Sequence, residues 1–319
     1  MKFLFRADAS TELGAGHVMR LSVLAEEAIA QGFECVFVGM LGGIDWVQSR
    51  IAEMGMAIYE STPSDIEMNS EDYILILDSY NSEVHREMLK EIKWNKVVVI
   101  ADPQTPLWNA DLTIHPGLEG DWYPFEKSRF LYGANFALIR KSIKRRHAPV
   151  RSKVKEIVVF GGGTDAFGFA ASVTKLLSEI EGFEHVSVFG KSIKRTETIF
   201  DNRFEVIPFG RSLDKIVDEA DLVFTSASTS SLEIVARGIP LGVVRSAINQ
   251  EVYYEALGQA GLAAQIGYFA AEEGWCLDRE EVERLLADSG YREQIVNTSE
   301  GIIDFGGAAR ILKAISELF

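Results

Sequence analysis

Short, continuously apolar runs recur along the chain, separated by longer stretches in which apolar residues return every three or four positions. In the first half the runs fall at residues 3–5, 34–39, 56–59, 73–77, 97–100 and 111–115. Such Val/Ile/Leu-rich runs read as buried strands, and the stretches between them as amphipathic helices. The clearest helical face is Val18, Leu21, Leu24, Ala25 and Ala28, and residues 45–53 give a second helix. Strands apolar on both faces, alternating with helices, predict a parallel sheet covered on both sides. The pattern restarts at Ile157, with strands at 157–160, 185–189, 204–207, 222–224 and 241–244. Helices are predicted over residues 171–180 and 213–219, up to Arg237, from Ile248, and in a last amphipathic segment entered at 303–310. The fold class is therefore α/β with two Rossmann-like domains. The basic, aperiodic stretch Lys141–Lys155 reads as the linker between domains at 1–144 and 150–319.

In parallel sheets of this kind, ligands bind beyond the carboxyl ends of the strands. The first such end runs Arg6-Ala7-Asp8-Ala9-Ser10, then Gly14-Ala15-Gly16-His17, then Met19-Arg20. Gly14 and Gly16 permit a tight turn and a close approach to a ligand. His17 falls at a helix N-terminus, whose free N–H groups and positive dipole end favour an anion and a neutral imidazole. A plain strand-loop-helix turn with an incidental histidine is the other reading. Asp78, Tyr80 and Asp102 close later strands and share the rim with Asp8 and His17; each alone reads equally as a turn or cap residue. His115, before Pro116-Gly117, reads as a structural loop histidine. The dinucleotide fingerprint fails: its third glycine position holds Met19 and no acidic residue closes the second strand, which argues against NAD or FAD.

The second half carries two comparable rims. Gly161-Gly162-Gly163-Thr164-Asp165 follows a strand directly and suits phosphate or sugar contacts, although no Gly-Lys-Ser/Thr follows to make it a Walker motif. Thr225-Ser226-Ala227-Ser228-Thr229-Ser230-Ser231-Leu232-Glu233 closes another strand and caps a helix, with Ser228 or Thr229 as N-cap. There the amides of residues 228–231 can receive a diphosphate, and Glu233, one turn on, the two ribose hydroxyls. A plain capped helix is the alternative. Asn249-Gln250 lies at the same rim.

Charge narrows the partners. Lys+Arg total 32 against 47 Asp+Glu, a net charge of −15, which argues against nucleic acid or an anionic membrane as a general partner. A nucleotide would have to be held by local devices such as helix N-termini and loop amides. Of the two cysteines, Cys35 lies in an apolar strand and reads as a core residue. No secretory leader and no apolar run of about 18 residues is visible, so a cytoplasmic location is the default expectation.

With these residues laid out, the chain resembles the UDP-sugar hydrolases of the pseudaminic-acid pathway, relatives of the spore-coat polysaccharide family and, further off, of nucleotide-sugar transferases with two facing Rossmann-like domains. The resemblance spans nearly the whole length. Its most specific piece is Arg6 to Ser10 followed by Gly14 to Arg20. Asp78 with Tyr80, residues 133–140, Gly162 to Asp165, Glu233 with Gly238 and Pro240, and Asn249-Gln250 support it. Departures are Ser226-Ala227 for the usual Gly-Gly, Leu232 for an aromatic, Ala101-Asp102 for an Asp pair, and Ala166-Phe167-Gly168 lacking an Asn. Most of these fall on the nucleotide side, so the resemblance specifies the chemistry more closely than the nucleotide or sugar.

The resemblance implies a GT-B-like pair of domains across a cleft and metal-independent hydrolysis of a UDP-linked diacetamido-trideoxy sugar at the anomeric carbon, releasing UDP. No cofactor is implied. His17 would serve as base for the attacking water, with Asp8 orienting the imidazole and Tyr80 completing the catalytic set. The substrate would be bound by Arg6, Gly14, Gly16, Arg20, Asp78, Gly162, Gly163, Thr164, Asp165, Ser228, Thr229, Ser230, Glu233, Asn249 and Gln250. Two alternatives stay open: an inverting glycosyltransferase on the same scaffold, and a nucleotide-sugar-binding protein without catalysis.

Overall fold

The computed structural model describes residues 1–10, 13–42, 44–60, 68–106, 109–118, 129–162, 165–190, 202–208 and 212–319. The chain forms two compact units, Met1–Arg140 with Asp304–Phe319, and Lys141–Ile303. Trp122, Tyr123 and Phe125 of the aromatic segment lie outside the described residues.

The first unit is built on strands β1 (Lys2–Arg6), β2 (Glu34–Val38), β3 (Ala57–Tyr59), β4 (Tyr73–Leu77), β5 (Lys96–Ile100), β6 (Leu112–His115) and β7 (Arg129–Tyr132). They form one sheet in the order β3-β2-β1-β4-β5-β6-β7, every neighbouring pair parallel. Helices α1 (Gly16–Ala30), α2 (Asp45–Glu53) and α3 (Ser82–Arg86) connect strands. The two faces sort by residue parity, as the pleat requires. Phe3, Phe5, Ile74, Ile76, Val98 and Ile100 join one core with α1. Leu4, Val36, Val38, Leu75, Leu77 and Val99 join the other with Met88 and Trp94. This double burial is why the strands read as unbroken apolar runs.

The second unit repeats the design with β8 (Glu156–Phe160), β9 (His185–Phe189), β10 (Phe204–Ile207), β11 (Leu222–Ser226), β12 (Leu241–Arg245), β13 (Ala264–Ala270) and β14 (Gly274–Leu277). Their order is β10-β9-β8-β11-β12-β13-β14, parallel except for the β13–β14 hairpin. Its helices are α4 (Phe169–Ser178), α5 (Ser212–Glu219), α6 (Thr229–Arg237), α7 (Glu251–Gln259), α8 (Arg279–Ala287) and α9 (Ser289–Thr298). Among the described residues no helix is long and apolar enough to cross a membrane.

Three features depart from the sequence reading. The last helix, α10 (Gly307–Ser316), belongs to the first unit and not to the second. Its Ile311, Leu312 and Ile315 are buried in the same core as Val18, Leu21 and Leu24 of α1. Gly307 permits this docking, because a Cβ there would collide with the Ala137 carbonyl. Second, the basic segment read as the linker between domains packs against the second unit. Arg145 donates to the Val296 carbonyl (3.1 Å) and Ser299 Oγ (3.1 Å), and Arg146 to the Ala220 carbonyl at 2.5 Å. Third, the β13–β14 hairpin and α8–α9 were not anticipated.

In each sheet the chain leaves its first strand toward one edge and returns on the other side, so the loops after β1 and β4, and after β8 and β11, are neighbours at a topological switch point. Open α/β sheets form their ligand crevices at such points.

Candidate active site

At the first switch point β1 and β4 are in register, Arg6 opposite Leu77, and the Asp78 N–H donates to the Arg6 carbonyl at 3.0 Å. That bond seats Asp78 at the base of the loop that leads into α1. Gly14 turns the loop with φ +78°, its N–H donating to the Ser10 carbonyl at 2.8 Å. A Cβ at Gly16 would meet no described atom, so packing within the unit does not demand that glycine. Helix α1 begins at Gly16 without a side-chain cap and without an acidic residue in its first turn. Among the described residues, no side chain caps its leading N–H groups.

His17 and Arg20, one turn apart on α1, both reach Asp78. His17 Nδ1 lies 2.6 Å from Asp78 Oδ1. Arg20 straddles the same carboxylate, Nη2 donating to Oδ1 at 2.7 Å and Nε to Oδ2. Its Nη1 donates to Asp102 Oδ2 at 2.8 Å, and that oxygen also accepts from the Tyr80 hydroxyl at 2.7 Å. The Tyr80 ring packs edge-on against the imidazole, with centroids 4.5 Å apart. Asp78 is 0% exposed, and Arg20 and Asp102 are also buried.

Burial would push the Asp78 carboxyl up, but the Arg20 guanidinium outweighs it and holds the group below its ordinary range. Asp102 is held well below that range by the same contest of burial against Arg20, with His115 and Tyr80 assisting. Burial also opposes the Arg20 charge, and the two carboxylates more than restore it. The Tyr80 phenol is driven far above its usual value by burial and Asp102, so it stays a hydrogen-bond donor. An ionised Asp78 can only accept, so His17 Nδ1 carries a proton toward it and Nε2 keeps its lone pair. The cluster can thus present a neutral imidazole, oriented by a buried carboxylate, as a proton acceptor.

The partner of the imidazole is therefore Asp78, not Asp8. Asp8 Oδ1 accepts instead from Arg6 Nη1 (2.6 Å) and the Met40 N–H (2.8 Å), because Asp8 follows the side of β1 that faces β2. Arg6, expected to bind substrate, is buried and engaged in that pair. His115 also differs from its reading as a loop residue. It ends β6 beside Asp102, its Nδ1 2.9 Å from the Ala101 carbonyl and 3.4 Å from Asp102 Oδ1.

At the second switch point the glycine loop and the end of β11 come together, since a Cβ at Gly162 (φ +81°) would stand 3.4 Å from Ser226 Oγ. Gly163 and Thr164 lie outside the described residues. Asp165 is buried, with φ 47°, and turns back to accept from the Ala170 N–H of α4 at 3.4 Å. A Cβ at Gly161 would collide with its carboxylate. Burial raises the Asp165 carboxyl to about 6. Asp165 thus serves the start of α4 rather than facing outward as a ligand contact.

Ser228 is the N-cap of α6, and its box partner is Ser231, whose Oγ donates to the Ser228 carbonyl (2.6 Å) and accepts from its N–H (3.1 Å). Thr229, Ser230 and Glu233 are half-buried on the first turns. Gln250 folds back so that its Oε1 accepts from the Ser246 N–H at 2.8 Å, shaping the loop that presents half-buried Asn249. Asp102 and His115, absent from the expected site set, complete the cluster around His17. The sequence marked Asp102 as a strand-end residue; nothing local marked His115.

The two switch-point sheets place the chain in the class of α/β proteins with two Rossmann-like domains. A glycotransferase of kitacinnamycin shares the fold, with a TM-score of 0.67 at 14% identity over 99% of this chain and 98% of that one. An S. aureus MnaA–UDP co-structure does so with a TM-score of 0.63 at 13% identity, over 100% and 98%. No family model matches the chain. In sequence it is a distant relative of the UDP-2,4-diacetamido-2,4,6-trideoxy-beta-L-altropyranose hydrolase of Campylobacter jejuni, 24% identical over 281 residues covering 84% of this chain and 100% of that protein.

Proposed function

We propose that the chain is a nucleotide-sugar hydrolase that cleaves a UDP-linked diacetamido-trideoxy sugar at the anomeric carbon. The observation that carries this is the His17–Asp78 pair at a sheet switch point, in a distant relative of a UDP-sugar hydrolase. His17 Nε2 takes a proton from water as the water oxygen bonds to C1. The C1–O bond to the diphosphate breaks in the same displacement, and UDP leaves with the bonding pair. Asp78 supports the imidazolium that forms, as a buried carboxylate does for a histidine base. Tyr80 fixes the ring edge-on. The uncapped start of α1 offers N–H donors to sugar or phosphate oxygens.

In this reading UDP is held by the second unit. Gly162 and the amides at Ser228–Ser230 receive the diphosphate, stabilising charge that develops on the leaving group. Glu233 takes the ribose hydroxyls and Asn249 a sugar substituent. The reaction supplies a free amino sugar for nonulosonic (pseudaminic) acid or a related surface glycan, as a cytoplasmic step.

The fold likeness to a glycotransferase keeps an inverting transferase as the second reading. Incubation with a UDP-diacetamido-trideoxy sugar separates the two: free sugar plus UDP without acceptor supports the hydrolase, and turnover only with an acceptor supports the transferase. His17→Ala should lower turnover about 10²- to 10⁴-fold with UDP affinity nearly unchanged. A variant that keeps near-normal turnover would remove His17 from the mechanism.

A further inference from the structure

Behind the His17–Asp78 pair stands a second set of side chains that the proposed reaction does not touch. Asp102 follows β5 and is 2% exposed. Its Oδ2 accepts from both Arg20 Nη1 and the Tyr80 hydroxyl, and its own N–H donates to Thr105 Oγ1 at 2.8 Å, pinning the turn. Its Oδ1 is buried and, among the described residues, accepts no hydrogen bond. That oxygen stands 3.4 Å from His115 Nδ1, which is held to the Ala101 carbonyl.

Arg20 and Tyr80 are the two groups packed against the His17–Asp78 pair. Asp102 reaches both. We infer that Asp102, backed by His115, is a positioning residue for His17, holding the guanidinium and the phenol ring that fix the imidazole. The inference rests on His17 being the base. With Asp102 taking the Nη1 edge, Arg20 is left to present Nε and Nη2 to Asp78 in the planar fork that suits a carboxylate. Without it, the half-buried Tyr80 hydroxyl loses its acceptor and the guanidinium loses one of two anchors.

Asp102 also sets the local charge. Among the described residues, the charged and titratable groups around His17 are Asp78 from the end of β4, Arg20 from α1 and Tyr80 from the loop after β4, with Asp102 and His115 behind them and His85 of α3 coupled to Asp78. Two aspartates and one arginine in this group leave one negative charge in excess while the imidazoles are neutral. Removing Asp102 removes that excess and disfavours the protonated imidazole of His17.

The test uses Asp102→Asn, His115→Asn and His115→Leu in the full chain. Readouts are kcat, KM, the pH profile of UDP release and the NMR titration of the His17 imidazole. Asp102→Asn should lower kcat about 10- to 100-fold with KM nearly unchanged, as for loss of a group that orients a catalytic one. The acid limb and the NMR midpoint of His17 should both move down, since a neighbouring negative charge is gone. His115→Asn keeps a donor near the place of Nδ1 and should stay within about twofold of wild type, whereas His115→Leu should fall toward Asp102→Asn. An unmoved acid limb and an unmoved His17 midpoint in Asp102→Asn overturn the inference, as does full activity in His115→Leu with Asp102→Asn inactive only because it unfolds. The NMR titration needs no substrate, so it decides on Asp102 even if no nucleotide sugar is turned over. His17→Ala separately decides on the base.

Discussion

Replacing Asp78 by Asn changes one atom and should disable the site twice over. The carboxylate, 0% exposed, receives His17 Nδ1–H on one oxygen and Arg20 on both. An amide offers one accepting oxygen and, in place of the other, an NH2 group that only donates. If the oxygen stays with Arg20, the amide N–H faces His17 Nδ1 and forces the imidazole proton onto Nε2, the atom assigned to accept a proton from water. Turnover should then fall about 10³- to 10⁴-fold, the cost of holding a histidine base in the wrong tautomer. Arg20 meanwhile loses one of its two buried carboxylate partners, worth about 2–4 kcal/mol. At about 2–4 °C per kcal/mol for a unit of this size, the melting temperature should drop by about 4–16 °C.

The pH dependence follows from the direction of the shift. The folded-state value of Asp78 lies below its ordinary 3.8, so its stabilisation is complete above that value and is lost as pH falls through the lowered one. The difference between wild type and variant should therefore be flat through neutral pH and shrink only in strong acid. Steady-state UDP release and differential scanning calorimetry at a series of pH values provide the measurements. Turnover within about threefold of wild type, or a melting point within about 2 °C, would refute the account of the Asp78 pair.

Two further outcomes are expected. Glu233→Ala should weaken UDP binding about five- to twentyfold by calorimetry, as for loss of a charged hydrogen bond, and unchanged affinity refutes the ribose role. Asp165 carries a carboxyl raised to about 6, so the fold favours its neutral form; that contribution is full below pH 3.8 and disappears as pH rises through about 6. Asp165→Asn is neutral throughout and should gain stability relative to wild type between pH 5 and pH 7, by about 1 kcal/mol; denaturant melts at the two values giving equal differences would count against it.

Much of the architecture was legible because burial on both faces of a sheet leaves an unmistakable trace. The runs at residues 73–77 and 97–100 have no polar alternation to confuse them, and they became β4 and β5. The loop into α1 was legible because its glycines and His17 adjoin in sequence. What escaped was pairing over distance. Asp8 closes the strand that leads to His17, yet strand order puts β4 beside β1, and Asp78 arrives from the far side of the switch point. His115 looked like a loop residue because Pro116-Gly117 follows it, and only the neighbouring strand reveals Asp102 beside it. The hairpin after Leu262 was missed because it reverses the parallel rule that the rest of the sheet obeys.

The docking of α10 on α1 has a consequence for how the molecule is made. The helix that carries His17 and Arg20 is translated before the whole second unit, but the apolar wall it needs, Ile311, Leu312 and Ile315, only after it. Of the two units, the one begun first on the ribosome is therefore the one finished second, and a nascent chain halted after Ile303 would hold a complete second unit and an unsealed first one.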